Sequence, residues 1–496
     1  MYYLILSLAL LAHLNSSAVC SRILGVFPSS GYSQYLLAEP LMIELAEKGH
    51  EVTVISAFET RNVTNLRSIT VPMPVDKEES DSLYKLQDLN IFRNLEVFNE
   101  LTLACTENIL KDTKVQSLLN SNESFDLVIV ETFNNEGHLA FAKHFKAHLV
   151  LFSSQALSQW NAELVGNINL PSYLPTPFSR SVPSMNFMER FINTMAMWYD
   201  KYLKIFYHYP AQQALINKHF PVKYKLEDIM YNASLMLSCS HVSTSGSISL
   251  TPSVIEVGGL HIKSKGLPDN FKSFLDSANE GAILFSMGSN LRSSSLSKET
   301  IREIVNMIAN LQYKVIWKFE DLDLENKPSN LLISKWVPQN DILAHPNIIA
   351  FISHCGMGGT TEAVYHGVPV IGIPVFADQF ANVLRLVRME MAVELPFQQL
   401  SGKVLQEAIQ EVLHNKKYRE NAKTRSNVMR DRVLEPLDEA VYWVEYVIKH
   451  DGAHYLKSSF SDLAWYQLYL VDVILAIAVI PYVIFILIRL MGKLLT

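Results

Sequence analysis

A glycine-rich turn in the C-terminal half of the chain carries groups that could bind a phosphate. Residues 354–359 read His-Cys-Gly-Met-Gly-Gly and stand between a short apolar run and a predicted helix. The N-terminus of a helix offers free backbone N–H groups and the positive end of the helix dipole, which suit a phosphate. His354 adds a side-chain donor at the end of the apolar run. The turn therefore predicts a phosphate site.

Acidic and amide side chains follow the turn. Glu362 is expected in the first turn of the predicted helix, where its carboxylate could accept hydrogen bonds from sugar hydroxyls, and Asp378 and Gln379 follow the next apolar run. Residues 348–352 and 370–373 are typical of buried parallel strands. Ligands of such sheets bind beyond the carboxyl ends of the strands. We therefore expect one crevice that binds a nucleotide sugar.

The remaining sequence predicts the elements that would hold this crevice. Strand–helix–strand patterns begin at residue 23 and again at residue 282, so we expect two α/β domains at 21–243 and 281–465. Residues 244–280 are rich in Ser, Gly and Pro and predict a linker. The predicted N-terminal elements are strands at 23–27, 52–55, 125–130 and 148–152 and a helix at 36–48. The predicted C-terminal elements are strands at 282–285, 315–317, 331–333, 348–352, 370–373 and 391–393, and helices at about 403–415 and 418–433.

Composition excludes several classes of protein. The 496 residues have a net charge of −7 and no basic run, so nucleic acid is not an expected partner. Four cysteines are too few for a disulfide framework. The sequence has no C-x-x-C pair and no histidine cluster, so no metal site is expected.

Both ends of the chain predict membrane targeting. Residues 1–20 read as a secretory signal peptide, with a retained N-terminal membrane helix as the alternative. Residues 466–489 predict a transmembrane helix, with a buried hairpin or an amphipathic anchor as the alternative. Arg489 and Lys493 follow the apolar stretch, which places the tail 490–496 in the cytoplasm and the bulk of the chain in the lumen. Sequons at Asn62, Asn122 and Asn232 are predicted glycosylation sites on that side.

The longest specific motif is residues 336–382, WVPQNDILAHPNIIAFISHCGMGGTTEAVYHGVPVIGIPVFADQFAN. It resembles the signature of the animal UDP-glycosyltransferases, the UDP-glucuronosyl and UDP-glucosyl transferases, and is closest to invertebrate members. The resemblance implies an α/β fold of two facing Rossmann-like domains (GT-B type) plus a C-terminal transmembrane helix at the endoplasmic reticulum. It implies that the ligands are a UDP-sugar and a small lipophilic acceptor and that no cofactor is needed. It leaves open whether the chain forms a homo- or hetero-oligomer. Residues 170–209 would be an acceptor-facing insertion or plain packing between helices.

The resemblance assigns a role to each donor-site residue. Its implied ligands are the uracil, the diphosphate, the ribose and the transferred sugar. Trp336 and Gln339 would hold the uracil; His354, Gly359 and Ser289 the diphosphate; Glu362 the ribose; Asp378 and Gln379 the sugar. Two positions depart from the family pattern, because Cys355 stands at a usual glycine and Gly358 at a usual polar residue.

The catalytic position also departs from the pattern. The family's general base is a histidine after a serine, sixteen residues before the histidine that corresponds to His50; here that position is Gln34. Its acidic partner, usually Asp, matches Glu131. The expectation is an inverting, metal-free hexosyltransferase, with impaired or selective activity and with UDP-glucose favoured over UDP-glucuronate. The alternative is a non-catalytic homolog that binds UDP-sugar or lipophiles, or that partners an active transferase.

Overall fold

The N-terminal half forms one parallel sheet. The computed structural model describes residues 20–73, 84, 89–459 and 463–494. Seven strands are ordered β3-β2-β1-β4-β5-β6-β7 and pair in parallel throughout. The central strands are continuous buried apolar runs because helices cover both faces of the sheet. The strands are β1 Arg22–Phe27, β2 Glu51–Ser56, β3 Leu66–Thr70, β4 Leu127–Glu131, β5 His148–Ser153, β6 Leu235–Ser238 and β7 Val254–Glu256.

The helices of this half pack on both faces and extend beyond one edge. They are α1 Tyr32–Glu47, α2 Ile91–Lys111, α3 Thr113–Leu119, α4 Ala140–Phe145, α5 Phe187–Leu203, α6 Tyr209–His219, α7 Glu227–Met230 and α8 Val242–Ser245. A π-helical turn, Lys204–His208, joins α5 to α6. A 3₁₀ turn, Glu136–Leu139, leads into α4.

The C-terminal half forms a second parallel sheet in the order β10-β9-β8-β11-β12-β13. Its strands are β8 Ala282–Ser286, β9 Lys314–Lys318, β10 Leu331–Ser334, β11 Ile348–Ser353, β12 Val370–Gly372 and β13 Ala392–Glu394. Its helices are α9 Asp269–Asp276, α10 Lys298–Ala309, α11 Gln339–Leu343, α12 Met357–His366, α13 Gln379–Arg388, α14 Gly402–His414 and α15 Lys416–Arg430. The predicted pair of Rossmann-like α/β domains is confirmed.

Each sheet reverses its strand order at one point. The chain runs outward from β1 to β3 and then returns to place β4 beside β1; β8 and β11 are related in the same way. Loops leave such neighbouring strands in opposite directions and open a crevice at their carboxyl ends. Both candidate sites are therefore fixed by topology, at the β1/β4 and β8/β11 boundaries.

The chain crosses between the domains twice. After α15, helix α16 (Pro436–Lys449) returns to the N-terminal domain, where Ala440, Val441 and Val444 join the core that contains α1. The Arg432 guanidinium donates to the Gly258 carbonyl at 2.8 Å, so the return crossing lies beside the outgoing one.

The segment predicted as a linker, 244–280, is more ordered than its composition indicated. Its β7 strand completes the first sheet, and Phe271 and Leu275 of α9 enter the core of the second domain. A three-residue strand flanked by Ser and Pro is too short for periodicity to show. Within this segment, only the stretch between β7 and α9 connects the domains.

A buried ion cluster joins the two turns named above. Lys204 Nζ donates to Glu136 Oε1 at 3.1 Å, and His208 Nε2 lies 3.1 Å from Glu136 Oε2. All three side chains are buried. Burial alone would raise the pKa of Glu136, but Lys204 and His208 hold it far below its ordinary value. The cluster therefore holds a true carboxylate inside the N-terminal domain.

The chain ends in a long apolar helix. After α17 (Trp465–Leu468), α18 (Val471–Leu494) is fully exposed, and its stretch Val471–Lys493 has a mean hydropathy of 2.9. By length and composition it could cross a membrane, as predicted for 466–489. The predicted signal peptide lies outside the described residues, apart from Cys20. The sequon residues Asn62, Asn122 and Asn232 are all exposed.

Candidate functional site

The two crevices face each other across one cleft. Its cavity has a volume of about 1250 Å³ and is lined by both domains. Pockets that bind one drug-sized ligand usually have a volume of about 300–1000 Å³, so this cleft is larger than a typical single-ligand pocket. All the predicted donor-site residues line it: Ser289, Trp336, Gln339, His354, Gly359, Glu362, Asp378 and Gln379.

The glycine-rich turn forms the N-terminus of α12. Gly356 is the N-cap residue, and the first backbone bond of the helix runs from Thr360 N to Gly356 O at 2.9 Å. The amides of Met357, Gly358 and Gly359 precede that bond and have no partner within the helix. Three N–H groups therefore point toward the cleft. Glu362 falls one turn later than predicted, because the helix already begins at Met357, inside the glycine-rich turn.

His354 is wedged between two glycines. A Cβ on Gly288, whose φ is +79°, would lie 2.4 Å from the His354 ring, and one on Gly356 would lie 2.6 Å from it. Burial, and then the charge of Lys318, lower the pKa of His354 to about 4. The ring is therefore neutral at physiological pH and fixed in place, so it can donate to a phosphate without first being ionised.

A short chain of polar contacts connects the residues expected to bind the base and the ribose. Gln339 Nε2 donates to Glu362 Oε2 at 2.5 Å, and His261 Nε2 lies 3.7 Å from the other oxygen of Glu362. Trp336 is 52% exposed and makes an edge-on contact with Tyr32 of the opposite domain, with ring centroids 5.7 Å apart. One face of the indole thus remains open to stack on a base.

The pair Asp378–Gln379 lies at the N-terminus of α13. Asp378 Oδ2 accepts from Asn382 Nδ2 at 2.8 Å, and burial raises the pKa of Asp378. Gln379 Oε1 accepts from the amides of Val375 and Phe376 at 2.8 and 3.1 Å. These bonds fix both side chains, and only the amide NH₂ of Gln379 is left to donate to a ligand.

Cys355 does not obstruct the phosphate turn. Its φ is +61°, in the left-handed region where glycine is favoured, and its carbonyl accepts from Asn382 Nδ2 at 3.0 Å. The side chain is fully buried, with Sγ 2.7 Å from where a Cβ on Gly372 would lie. The thiol therefore points into the core, and the departure at this position costs backbone strain without filling the site.

The two expected catalytic positions differ in access. Gln34 lies in the first turn of α1 and lines the cleft, and its Oε1 and Asn290 Nδ2 lie 3.0 and 3.2 Å from where a Cβ on Gly31 would be. Glu131 ends β4 and is fully buried behind Ser29 and Ser154. Burial raises the pKa of Glu131 to about 7, partly offset by hydrogen bonding from the Ser154 hydroxyl and the Ser29 amide. Glu131 does not line the cleft, so it does not meet an acceptor there.

The lining residues that the sequence did not predict include Tyr32, His261, Asn290 and Lys318. Lys318 ends β9 and pairs with Glu320 at 2.9 Å, and a polar residue at the end of a parallel strand was a usable sequence signal. Tyr32 and His261 had no such sequence signal, because their positions in the cleft depend on how the two domains face each other.

Aromatic rings line the far end of the cleft in the N-terminal domain. Phe98 stacks on Trp160 with centroids 4.5 Å apart and an interplanar angle of 8°, and Phe133 and Phe178 pack edge-on around them. Phe98, Phe133 and Phe178 face the cavity. This end suits a flat apolar molecule.

The profile of the UDP-glucoronosyl and UDP-glucosyl transferase family matches residues 23–495. The chain belongs to this family. It is 37% identical over 483 residues to UDP-glucosyltransferase 2 of Dactylopius coccus, covering 96% of this chain and 93% of that one. It is 32% identical to UDP-glucuronosyltransferase 2B15 of Homo sapiens, covering 95% and 92%. The fold resembles the solved glycotransferase of kitacinnamycin, with a TM-score of 0.58, 16% identity and coverage of 86% and 99%. The GT-B expectation is thus confirmed, and this UDP-glycosyltransferase transfers a sugar from a UDP-sugar.

Proposed function

We propose that this UDP-glycosyltransferase moves glucose from UDP-glucose to a small lipophilic acceptor, with inversion and without a metal. The observation that carries the proposal is that the donor set at β8/β11 and the aromatic end at β1/β4 share one cavity. UDP-glucose is chosen because the insect relative at 37% identity is named a UDP-glucosyltransferase. UDP-glucuronate is the runner-up, from the mammalian relatives.

The proposed reaction is a direct displacement at C1 of the sugar. The acceptor oxygen forms a bond to C1 as the bond from C1 to the β-phosphate oxygen breaks, so an α-linked donor gives a β-glycoside. The electron pair leaves with UDP, and the free amides of α12 together with His354 stabilise its growing charge. The acceptor proton leaves to solvent or to a base.

The base is the unusual part of the proposal. An amide such as Gln34 does not take up a proton near neutral pH, and Glu131 is buried behind the cleft wall. When the base is absent, the transfer rate falls less for an acceptor that is already partly ionised, such as a phenol, than for an aliphatic alcohol. The enzyme is therefore proposed to favour acidic aromatic acceptors, which also fit the rings at the far end of the cleft.

The proposal is tested by measuring UDP release from microsomes that contain the full chain. UDP-glucose and UDP-glucuronate are each supplied with a panel of phenols and alcohols, and permeabilised microsomes from cells lacking the chain serve as the control. We expect phenol-dependent UDP release with UDP-glucose. If UDP binds but none is released with any pair, the non-catalytic alternative, which Gln34 favours, replaces the proposal.

Donor binding gives a prediction of its own. His354→Ala and Glu362→Ala should each weaken UDP binding by about 1–3 kcal/mol, because each removes a polar contact in a partly buried site. Calorimetry on the purified chain measures this effect. Gln379→Ala is the matched control, since its proposed partner is the sugar, and its affinity for UDP should be unchanged. Unchanged affinity in both test variants would show that UDP binds elsewhere.

The enzyme is proposed to be a single-pass protein of the endoplasmic reticulum membrane with its large domain in the lumen. Protease added outside sealed microsomes should remove only the few residues after Ile488, because the domains would lie behind the bilayer. An immunoblot against the N-terminal domain measures this protection, and detergent should abolish it. Digestion of the domain in sealed vesicles would contradict the orientation.

An exposed apolar face of the N-terminal domain supports this placement, and we propose it as a second contact with the bilayer. One face of α5, formed by Phe187, Phe191, Met195, Trp198 and Tyr202, is between 41 and 72% exposed. Lys457, which precedes α18 in the chain, lies near this face, because it donates to the Tyr231 carbonyl. Burial, and then the charge of Glu163, raise the pKa of Tyr231 to about 12. Glu163 in turn pairs with Lys201 of α5 at 3.3 Å.

This face is tested in the same microsomes by photo-cross-linking. Benzoylphenylalanine placed at Trp198 should cross-link to radiolabelled phospholipid, as it should at Tyr482 within α18. The exposed Leu322 of the C-terminal domain is the negative control. Cross-links from position 198 to protein would contradict a lipid contact.

A further inference from the structure

A segment of the predicted insertion contacts α13, the helix at whose N-terminus lie Asp378 and Gln379, the pair proposed to bind the sugar. Residues 176–185, called the clasp from here on, belong to the N-terminal domain and lie between the aromatic end of the cleft and α5. The Arg180 guanidinium lies over the ring of Phe380, 4.4 Å from its centroid. The Pro183 carbonyl accepts from Arg388 Nη1. Phe380 and Arg388 stand at the two ends of α13, which is about 15 Å long at 1.5 Å per residue.

The clasp is itself held in a fixed shape. Asn193 of α5 accepts from the amide of Thr176 at 2.8 Å and donates to the Leu174 carbonyl at 3.0 Å. Ser184 has a φ of +76°, which a non-glycine residue adopts only under constraint. This strained residue directly follows Pro183, the residue whose carbonyl meets Arg388. The geometry is therefore set by the N-terminal domain and presented to the other domain.

One end of the clasp also forms the wall of the acceptor region. Phe178 faces the cavity and packs edge-on against Phe98 and Trp160, at centroid distances of 5.5 and 5.6 Å. Arg180 follows two residues later. Its partner Phe380 is 7% exposed and is the immediate neighbour of Gln379. A continuous path of contacts thus runs from the acceptor wall to the sugar pair.

We propose that the clasp positions the donor sugar, with Arg180 and Arg388 as positioning residues that act through α13 on Asp378 and Gln379. The inference rests on the proposed function for the role of that pair. An acceptor packed on Phe178 stabilises the clasp, the clasp holds the start of α13, and the sugar is bound in the reactive place. Because linkage is reciprocal, bound UDP-sugar also favours acceptor binding by the same factor.

The clasp acts mainly on the sugar. The proposed UDP contacts come from α12, β11 and the loop that contains Trp336, and none of the clasp contacts named above touches them. α13 meets this region through the bond from Asn382 to the Cys355 carbonyl, on the side of α13 that holds the phosphate turn and not at the Arg180 and Arg388 contacts. Loss of Arg180 should therefore weaken binding of a UDP-sugar while leaving binding of UDP alone intact. A residue that merely stabilised the fold would change both affinities together, so the comparison separates the two roles.

The test compares R180M, R180K and R388M in the full chain in detergent. Calorimetry measures the affinity for UDP and for UDP-2-fluoroglucose, a donor whose fluorine slows cleavage. R180M keeps the apolar stem but loses the cation over the ring, so it should bind the fluorosugar about three- to tenfold more weakly and UDP within about twofold of the parent. R180K keeps the cation and should restore most of the loss, and R388M should resemble R180M. R302M, which replaces an exposed arginine on α10, is the matched control.

The same variants are then assayed for transfer to 1-naphthol, where R180M should lower kcat/KM with the KM for UDP-glucose raised. The clasp is overturned if R180M leaves both affinities unchanged, weakens UDP as much as the fluorosugar, or behaves like R302M. Failure of the proposed function would look different, since the parent would release no UDP. The affinities for UDP and for UDP-2-fluoroglucose would still show whether the clasp positions the sugar.

Discussion

Replacing Gln34 with histidine is expected to raise turnover on neutral aliphatic alcohols by roughly 10- to 1000-fold, because base catalysis is restored in a site not tuned for it. Gln34 lines the cleft at the first turn of α1, where a side chain meets the acceptor region. Turnover on an acidic phenol should change much less, since the phenol supplies part of its own ionisation. Steady-state rates on one alcohol and one phenol measure the difference.

The gain should depend on Glu131 and on pH. Glu131 ends the strand beside β1, and its pKa of about 7 means that it is a carboxylate only above that pH. Its negative charge would favour the imidazolium that forms during transfer, so the gain should grow as pH rises through 7. Glu131→Gln should remove most of it, and Gln34→Asn is the control without a base. If the parent already matches the histidine variant on the alcohol, another group serves as base.

Replacing Lys204 with methionine is expected to destabilise the N-terminal domain by about 3–5 kcal/mol, because it leaves the buried Glu136 carboxylate without its cation. Lys201→Met is the matched control three residues earlier. Its pair with Glu163 is exposed, so its loss should cost no more than about 1 kcal/mol. Chemical unfolding followed by tryptophan fluorescence measures both variants.

The defect should also have a definite pH dependence. Without Lys204, burial raises the folded-state pKa of Glu136 above its unfolded value near 4.5. Such an acid destabilises the fold increasingly as pH rises from the unfolded toward the folded pKa, so the loss should be smallest in acid. Adding Glu136→Gln should recover much of the stability at neutral pH. Equal losses in the Lys201 and Lys204 variants would show that the cluster contributes no more than a surface pair.

The sequence was sufficient for elements whose signal is local. The strands at 282–286 and 348–353 are continuous buried runs, and the glycine turn at the start of α12 leaves backbone N–H groups without helical partners, so both could be predicted from residue type alone. β3 and β7 were missed because each contributes a single buried residue. β6 was also missed, although its four residues are all buried. Contacts such as Tyr32 with Trp336, or Arg180 with Phe380, depend on how two domains are placed, and no periodicity encodes that. The pKa of Glu131 likewise follows from burial that only the fold supplies.

The return of α16 to the N-terminal domain determines which of the two domains is connected directly to α18. The chain enters α18, the proposed membrane helix, from the N-terminal domain. The strands of the C-terminal domain nevertheless lie closer to α18 in sequence than those of the N-terminal domain. The C-terminal domain is joined to the N-terminal domain by two adjacent crossings, which the bond from Arg432 to the Gly258 carbonyl links. Under the proposed topology, the acceptor-binding domain would lie at the bilayer surface, where lipophilic compounds are most concentrated, and the donor-binding domain would face the aqueous lumen. The two substrates would then arrive from different solvents.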